Sequence, residues 1–223
     1  MSVLADLIDL VFPRRCVGCG NVLGVLCVRC APSGPAARTA DGVWSAARYD
    51  GAVRAALLAY KERGRRDLAA PLADLLARAV GAALLEKPGP HRVALVPAPS
   101  LRAVAAARGG DHVLRLARRA GSRWGVRTAS GVLALTRQVS DSAGLGIAAR
   151  RQNLAGAIAA RAGPPGLAAL VVDDIVTTGA TVRACVEALE TAGWPVVGAA
   201  VVAATPRRSP PGSRALAEHR QPV

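Results

Sequence analysis

Aromatic residues are scarce in this chain: Trp, Tyr and Phe together make up 3% of its 223 residues. So few rings argue against a stacking platform for single-stranded nucleic acid. Lysine is nearly missing as well, with Lys61 and Lys87 the only two, so the net charge of +14 rests on arginine. No uncharged apolar run reaches about 18 residues, and no membrane-spanning helix is read from the sequence. Two phosphate-binding signatures are absent: G-x4-G-K-[ST], which marks the phosphate loop of NTPases, and G-x-G-x-x-G, which marks dinucleotide folds. The opening MSVLADLIDLVF carries Asp6 and Asp9 and no basic stretch. It does not read as a signal peptide, and a cytoplasmic protein is the default expectation.

What is present describes a globular protein. At 52% hydrophobic residues the chain is too apolar to be disordered throughout. Its 23 Gly and 15 Pro follow no repeat, which excludes collagen-like sequences. The length fits one domain plus a small appendage. The arginine surplus favours an anionic partner, whether a phosphorylated metabolite, nucleic acid or an anionic surface. A coding bias toward Ala, Gly and Arg accounts for it equally well.

Four of the five cysteines fall in CVGCGNVLGVLCVRC, where Cys16 and Cys19 form one C-x2-C pair and Cys27 and Cys30 a second. Two such knuckles can place four thiolates around a tetrahedral ion at about 2.3 Å. Gly18 and Gly20 allow the tight turns, and Arg14, Arg15 and Arg29 offset part of the negative charge. Structural zinc is the favoured reading. A redox dithiol usually occurs as a single pair beside a βαβ unit, and disulfides are disfavoured without an export signal. Cys185 shares a helical stripe with Val182, Val186 and Leu189, which reads as a buried free thiol.

Along the chain, Leu4, Leu7, Ile8 and Val11 have the spacing of a short helix, ended by Pro13. Residues 31–41 read as a linker. A strand near 43–49 follows. Asp50 is placed to cap a helix with Val53, Ala56, Leu57 and Tyr60 on one face, ending at Gly64. A second helix spans about 67–85, and VALVPAP reads as a buried strand. A helix from His112 to about Ala120 has Asp111 at its cap. Strands are expected at 132–135, 168–172 and 196–203, and a helix at 179–191. Alternating strands and helices imply an α/β fold with a mostly parallel sheet covered on both faces. The expected domains are residues 1–35, an N-terminal helix and cysteine element; 42–205, the α/β domain; and 206–223, a disordered basic tail.

The most informative stretch is ALVVDDIVTTGAT, residues 169–181. An apolar strand delivers Asp173 and Asp174 to its C-terminal end, where open α/β sheets usually bind ligands. Thr177, Thr178, Gly179, Ala180 and Thr181 then turn the chain into a helix. Backbone amides, hydroxyls and the helix dipole at that turn make a cradle for a phosphate monoester. Two carboxylates would repel the phosphate itself but suit neutral hydroxyls. Together they describe a ribose 5-phosphate. A catalytic metal held directly by the two acids is an alternative for which no third ligand is evident.

This stretch resembles the PRPP-binding signature of type I phosphoribosyltransferases. With the double C-x2-C, RYDGAVRAALLAYKERG, VPAPS and DSAGLGIAARRQNLAGAI, the chain is similar over nearly its whole length to the ComF family of competence-associated proteins. The resemblance implies a phosphoribosyltransferase fold with an N-terminal zinc element. It assigns the ribose hydroxyls to Asp173 and Asp174 and the 5-phosphate to Thr177–Thr181. It implies a pyrophosphate loop at Pro99, Ser100, Leu101 and Arg102, and a mobile loop from 137 to 153 whose Arg137, Arg150 and Arg151 meet a diphosphate carrying Mg²⁺. Where the family often has G-F-N-Q, this chain has Gly109, Gly110, Asp111 and His112. Lys61 is read as a helix-surface lysine, and no general base or other catalytic residue is singled out. The implied activity is Mg²⁺-dependent transfer of phosphoribosyl from PRPP to an unknown acceptor, linked to DNA uptake. The alternative is a non-enzymatic competence protein that holds single-stranded DNA or a helicase, with PRPP as regulator. Proteins of this transferase fold often form oligomers, although no interface signature stands out here.

Overall fold

The computed structural model of the chain describes residues 15–22, 24–86, 92–99, 110–136 and 156–206. The expected helix at Leu4–Val11 and nearly all of the 206–223 tail lie outside these residues. Eight strands are seen among them: β1 (Ala37–Arg38), β2 (Trp44–Arg48), β3 (Arg92–Pro97), β4 (Arg127–Thr128), β5 (Leu133–Leu135), β6 (Ile158–Ala160), β7 (Leu167–Val176) and β8 (Val196–Ala204). The helices are α1 (Gly51–Glu62), α2 (Ala69–Glu86), α3 (His112–Arg123) and α4 (Ala180–Thr191), with a 3-10 turn at Arg66–Leu68 leading into α2.

Six strands form one sheet in the order β1-β2-β8-β7-β3-β4. Every pairing in it is parallel except that of β1 with β2. This is the expected α/β architecture, a mostly parallel sheet with helices on both faces. β7 lies at its centre, and its run Ala168–Val172 is fully buried. Such a strand is apolar on both sides because helices cover both faces. On one face Leu95, Leu170, Val172 and Ala200 pack with α1, α2 and α3; on the other, Val96, Val171 and Val201 pack with α4.

The second helix starts later than its periodicity predicts, at Ala69, after the 3-10 turn. By length and composition Arg66–Glu86 is apolar enough to cross a membrane, yet 61% of that window is buried inside the fold. Leu72, Leu76 and Val80 are completely covered and account for its apolar character. Burial of side chains of this kind stabilises by roughly 1.5–3 kcal/mol each.

Several local expectations are corrected. Asp50 occupies the N-cap of α1 but makes no capping bond, because its carboxylate faces Arg48 Nε at 3.0 Å. Asp111 does cap α3, accepting from the Leu114 amide at 3.0 Å. The strand expected at 132–135 does not join the main sheet. As β5 it pairs antiparallel with β6, an element too short to show a period, and the two lie against α4. β7 runs on through both acids to Val176, since Asp173 and Ile175 keep register with Val201 and Ala203 of β8.

Candidate active site

The N-terminal element converges on its thiols. The Sγ atoms of Cys16, Cys19, Cys27 and Cys30 all lie within 4.8 Å of one another, and those of Cys19 and Cys27 are 3.6 Å apart. A tetrahedron with bonds of about 2.3 Å has edges of about 3.8 Å, so the four fit a zinc ion. Backbone amides of Gly18 and Cys27 each donate to Cys16 Sγ at 3.4 Å. Burial pushes the Cys16 thiol up, but amides from Cys27, Cys19 and Gly18 outweigh it and bring it to about 6. Cys30 is driven the other way, to about 12, first by its hydrogen bond with Cys19 and then by burial. A dication at the centre would hold all four as thiolates. Gly18 is needed for space rather than for a turn. A Cβ there would lie 2.6 Å from Ala52 Cβ of α1 and 2.9 Å from Cys30 Sγ. The element therefore sits directly on the start of α1. Cys185 is fully buried on α4, and burial raises its thiol, with a smaller contribution from Asp173.

At the C-terminal edge of the sheet, β7 passes into α4 through Thr177, Thr178 and Gly179. Thr177 is exposed, Thr178 and Thr181 are half-buried, and Gly179 and Ala180 are buried. Gly179 takes φ +71° as the N-cap of α4, and the first turn of α4 holds no acid. The free amides of that turn therefore meet no competing negative charge within the helix. Thr178 Oγ1 accepts from the Ala180 amide at 3.4 Å. Arg183 braces the turn, with Nη2 donating to the Thr178 carbonyl at 2.9 Å and Nη1 3.5 Å from Asp41. Neither Arg183 nor Asp41 was singled out by sequence, because the turn that joins them is defined only once β2 and β7 lie in one sheet. The neighbouring strand brings Pro99 alongside, because the Ala98 amide still donates to Val172 at 2.8 Å. Ser100, Leu101, Arg102, Arg137, Arg150 and Arg151 lie outside the described residues.

The two acids have separate surroundings. Asp174 is 4% exposed, and its Oδ2 receives Lys61 Nζ at 3.0 Å and His112 Nε2 at 3.0 Å. Burial alone would raise this carboxyl, but the His112 hydrogen bond and the Lys61 charge hold it well below the usual carboxylate range. Asp173 is half-buried, and its Oδ1 accepts the Asp174 amide at 2.8 Å. Burial and then the neighbouring Asp174 charge push Asp173 well above that range. Lys61 is thus not a helix-surface lysine. It lies four residues after Leu57 and eight after Val53, on the buried stripe of α1, and that spacing was the available signal. His112 likewise precedes Leu116 by four on the buried face of α3.

Residues 113–214 match the family model described as a phosphoribosyl transferase domain. The match begins one residue after His112 and takes in β7, both acids, the Thr177–Thr181 turn and α4. No curated protein matches the chain. The phosphoribosyltransferase-like sheet and the four-cysteine cluster ahead of it are thus two parts of one chain, joined at α1. Between them runs a cleft of about 730 Å³ bounded by Cys30, Pro32, Arg48, Val176, Thr177 and Thr205.

Proposed function

We propose that this protein binds PRPP at the C-terminal edge of β7 and transfers its phosphoribosyl group. The 5-phosphate sits on the amides and hydroxyls of Thr177–Thr181, and the ribose hydroxyls meet Asp173 and Asp174. The observation that carries this reading is the turn itself. Two acids lead into a hydroxyl-rich helix start whose first turn carries no acid of its own, within the stretch that matches the phosphoribosyl transferase domain. The chain's similarity to ComF proteins, which pair such a domain with a zinc element, supports the same conclusion.

Transfer breaks the bond between ribose C1 and pyrophosphate and forms one to the acceptor, with positive charge building on the ring. Mg²⁺ bound to the diphosphate would supply charge neutralisation at the leaving group. The protein contributes fixed electrostatics: amides on the 5-phosphate and carboxylates beside the cationic ring. The acceptor occupies the cleft beside Thr177 and Thr205. Among the described residues no aromatic ring lines it, so polar groups and shape select the acceptor rather than stacking. Cys16, Cys19, Cys27 and Cys30 would hold a zinc ion as a structural centre, with all four of its positions filled by protein.

Calorimetry with PRPP and Mg²⁺ tests binding, and pyrophosphate release against a panel of acceptors tests turnover. Binding by the full chain, lost in the Asp173→Asn, Asp174→Asn double variant, is the expected result. No binding at millimolar PRPP, or unchanged binding by the folded double variant, overturns the assignment.

A further inference from the structure

Among the described residues Asp174 is the one buried acid, at 4% exposure, and its two contacts come from distant parts of the chain. Lys61 precedes it by 113 residues and His112 by 62. A buried carboxylate is costly unless paired and hydrogen-bonded, so both donors are needed to keep it ionised. His112 is held in turn. The Tyr60 hydroxyl donates to the His112 carbonyl at 3.3 Å and accepts from Arg115 Nη1 at 3.3 Å. The Tyr60 ring meets the imidazole edge-on, 6.4 Å between centroids. Because a carboxylate only accepts, His112 Nε2 carries the hydrogen. Nδ1 is buried with no hydrogen-bond partner among the described residues. Two donors converging on Oδ2 leave Oδ1 as the oxygen with capacity for a further donor.

An ion cluster that merely ties α1, α3 and β7 together could sit anywhere along β7. This one sits on the acid beside the Thr177–Thr181 turn. We propose that Lys61 and His112 are positioning residues for sugar recognition: they saturate Oδ2 of Asp174 and present Oδ1 to a ribose hydroxyl. The inference rests on the PRPP reading and deepens it, because it makes ribose binding depend on two helices outside the phosphate turn. Asp173, which also feels the Lys61 charge, supplies the second contact from its half-buried position.

The test uses the full chain, with ribose 5-phosphate and inorganic phosphate as separate probes in calorimetry. Lys61→Met removes the charge and keeps the stem; Lys61→Arg restores a charge; His112→Gln keeps a donor. Lys61→Met is expected to weaken ribose 5-phosphate about tenfold or more, as loss of a charge-assisted contact implies, while inorganic phosphate changes by less than about twofold. Lys61→Arg and His112→Gln are expected to recover most of the affinity. Should Lys61→Met fail to fold, nitrogen-15 NMR of the wild-type imidazoles decides: the His112 Nε2–H signal should shift with ribose 5-phosphate and stay put with phosphate alone. If the wild type binds ribose 5-phosphate and Lys61→Met binds it equally well, or the His112 signal ignores the sugar, the positioning role is refuted and the PRPP reading stands. If the wild type binds neither ribose 5-phosphate nor PRPP, the PRPP reading itself fails and this inference with it.

Discussion

Replacing Gly179 by alanine should damage the protein in two separable ways. With φ at +71°, an L-residue at this N-cap is strained by about 1–2 kcal/mol. The added Cβ would also lie 3.0 Å from Arg183 Nη1 and 3.4 Å from the Asp41 carboxylate. Arg183 is flexible and can withdraw, but it then loses its bond to the Thr178 carbonyl, worth about 0.5–1.5 kcal/mol. Alanine stiffens the unfolded chain, which returns about 0.4–1 kcal/mol. The net loss is about 1–2 kcal/mol, or roughly 2–8 °C in Tm for a chain of this size. Gly193, at the far end of the same helix, is the matched control. Its φ is +80° and a Cβ there meets open space. Gly193→Ala should cost about 1 kcal/mol from backbone strain alone. Thermal unfolding and calorimetry on both variants give the comparison. Only Gly179→Ala should lose ribose 5-phosphate affinity, by about tenfold or more, because only there do the cradle amides turn away. Equal loss of affinity in both variants, or none in Gly179→Ala, would refute the phosphate assignment.

Two other expectations concern the metal and the acid pair. The purified chain should carry one zinc per molecule, and cobalt substitution should give tetrathiolate charge-transfer bands that Cys27→Ser abolishes and Cys185→Ser leaves intact; bands that depend on Cys185 would contradict the cluster. The pH dependence of stability should differ in sign between the two carboxyls. Asp174, depressed in the native state, contributes stability above the ordinary carboxyl value near 3.8 that fades as pH falls below it. Asp173, raised in the native state, contributes most below that value and loses its contribution as pH rises through its native titration. Asp173→Asn should therefore compare better with wild type at about pH 8 than at about pH 4 in urea unfolding; an unchanged difference would show that Asp173 is not perturbed.

The sheet was legible because β3 and β7 are continuous apolar runs and α2 repeats leucine at helical spacing. β1, β4 and β6 were not, since two or three residues carry no period. The C-terminal part of β7 was hidden for another reason. Adjacent acids look like the end of a buried strand, yet hydrogen bonding to β8 carries the strand past them. Asp50 misled because its carboxylate accepts from Arg48 and caps no amide of α1.

Sequence by itself determined the two chemical motifs of this protein. The spacing of Cys16, Cys19, Cys27 and Cys30 and the run from Asp173 to Thr181 are local, so their geometry follows from turns a few residues long. Only the tertiary structure decided that Asp174 shares its oxygen with Lys61 and His112, that Arg183 braces the phosphate turn, and that the cysteine element rests on α1 through Gly18. Periodicity tells which face of a helix is covered, not which strand covers it. Lys61 and His112 therefore looked like ordinary members of their helices until packing set both against one carboxylate.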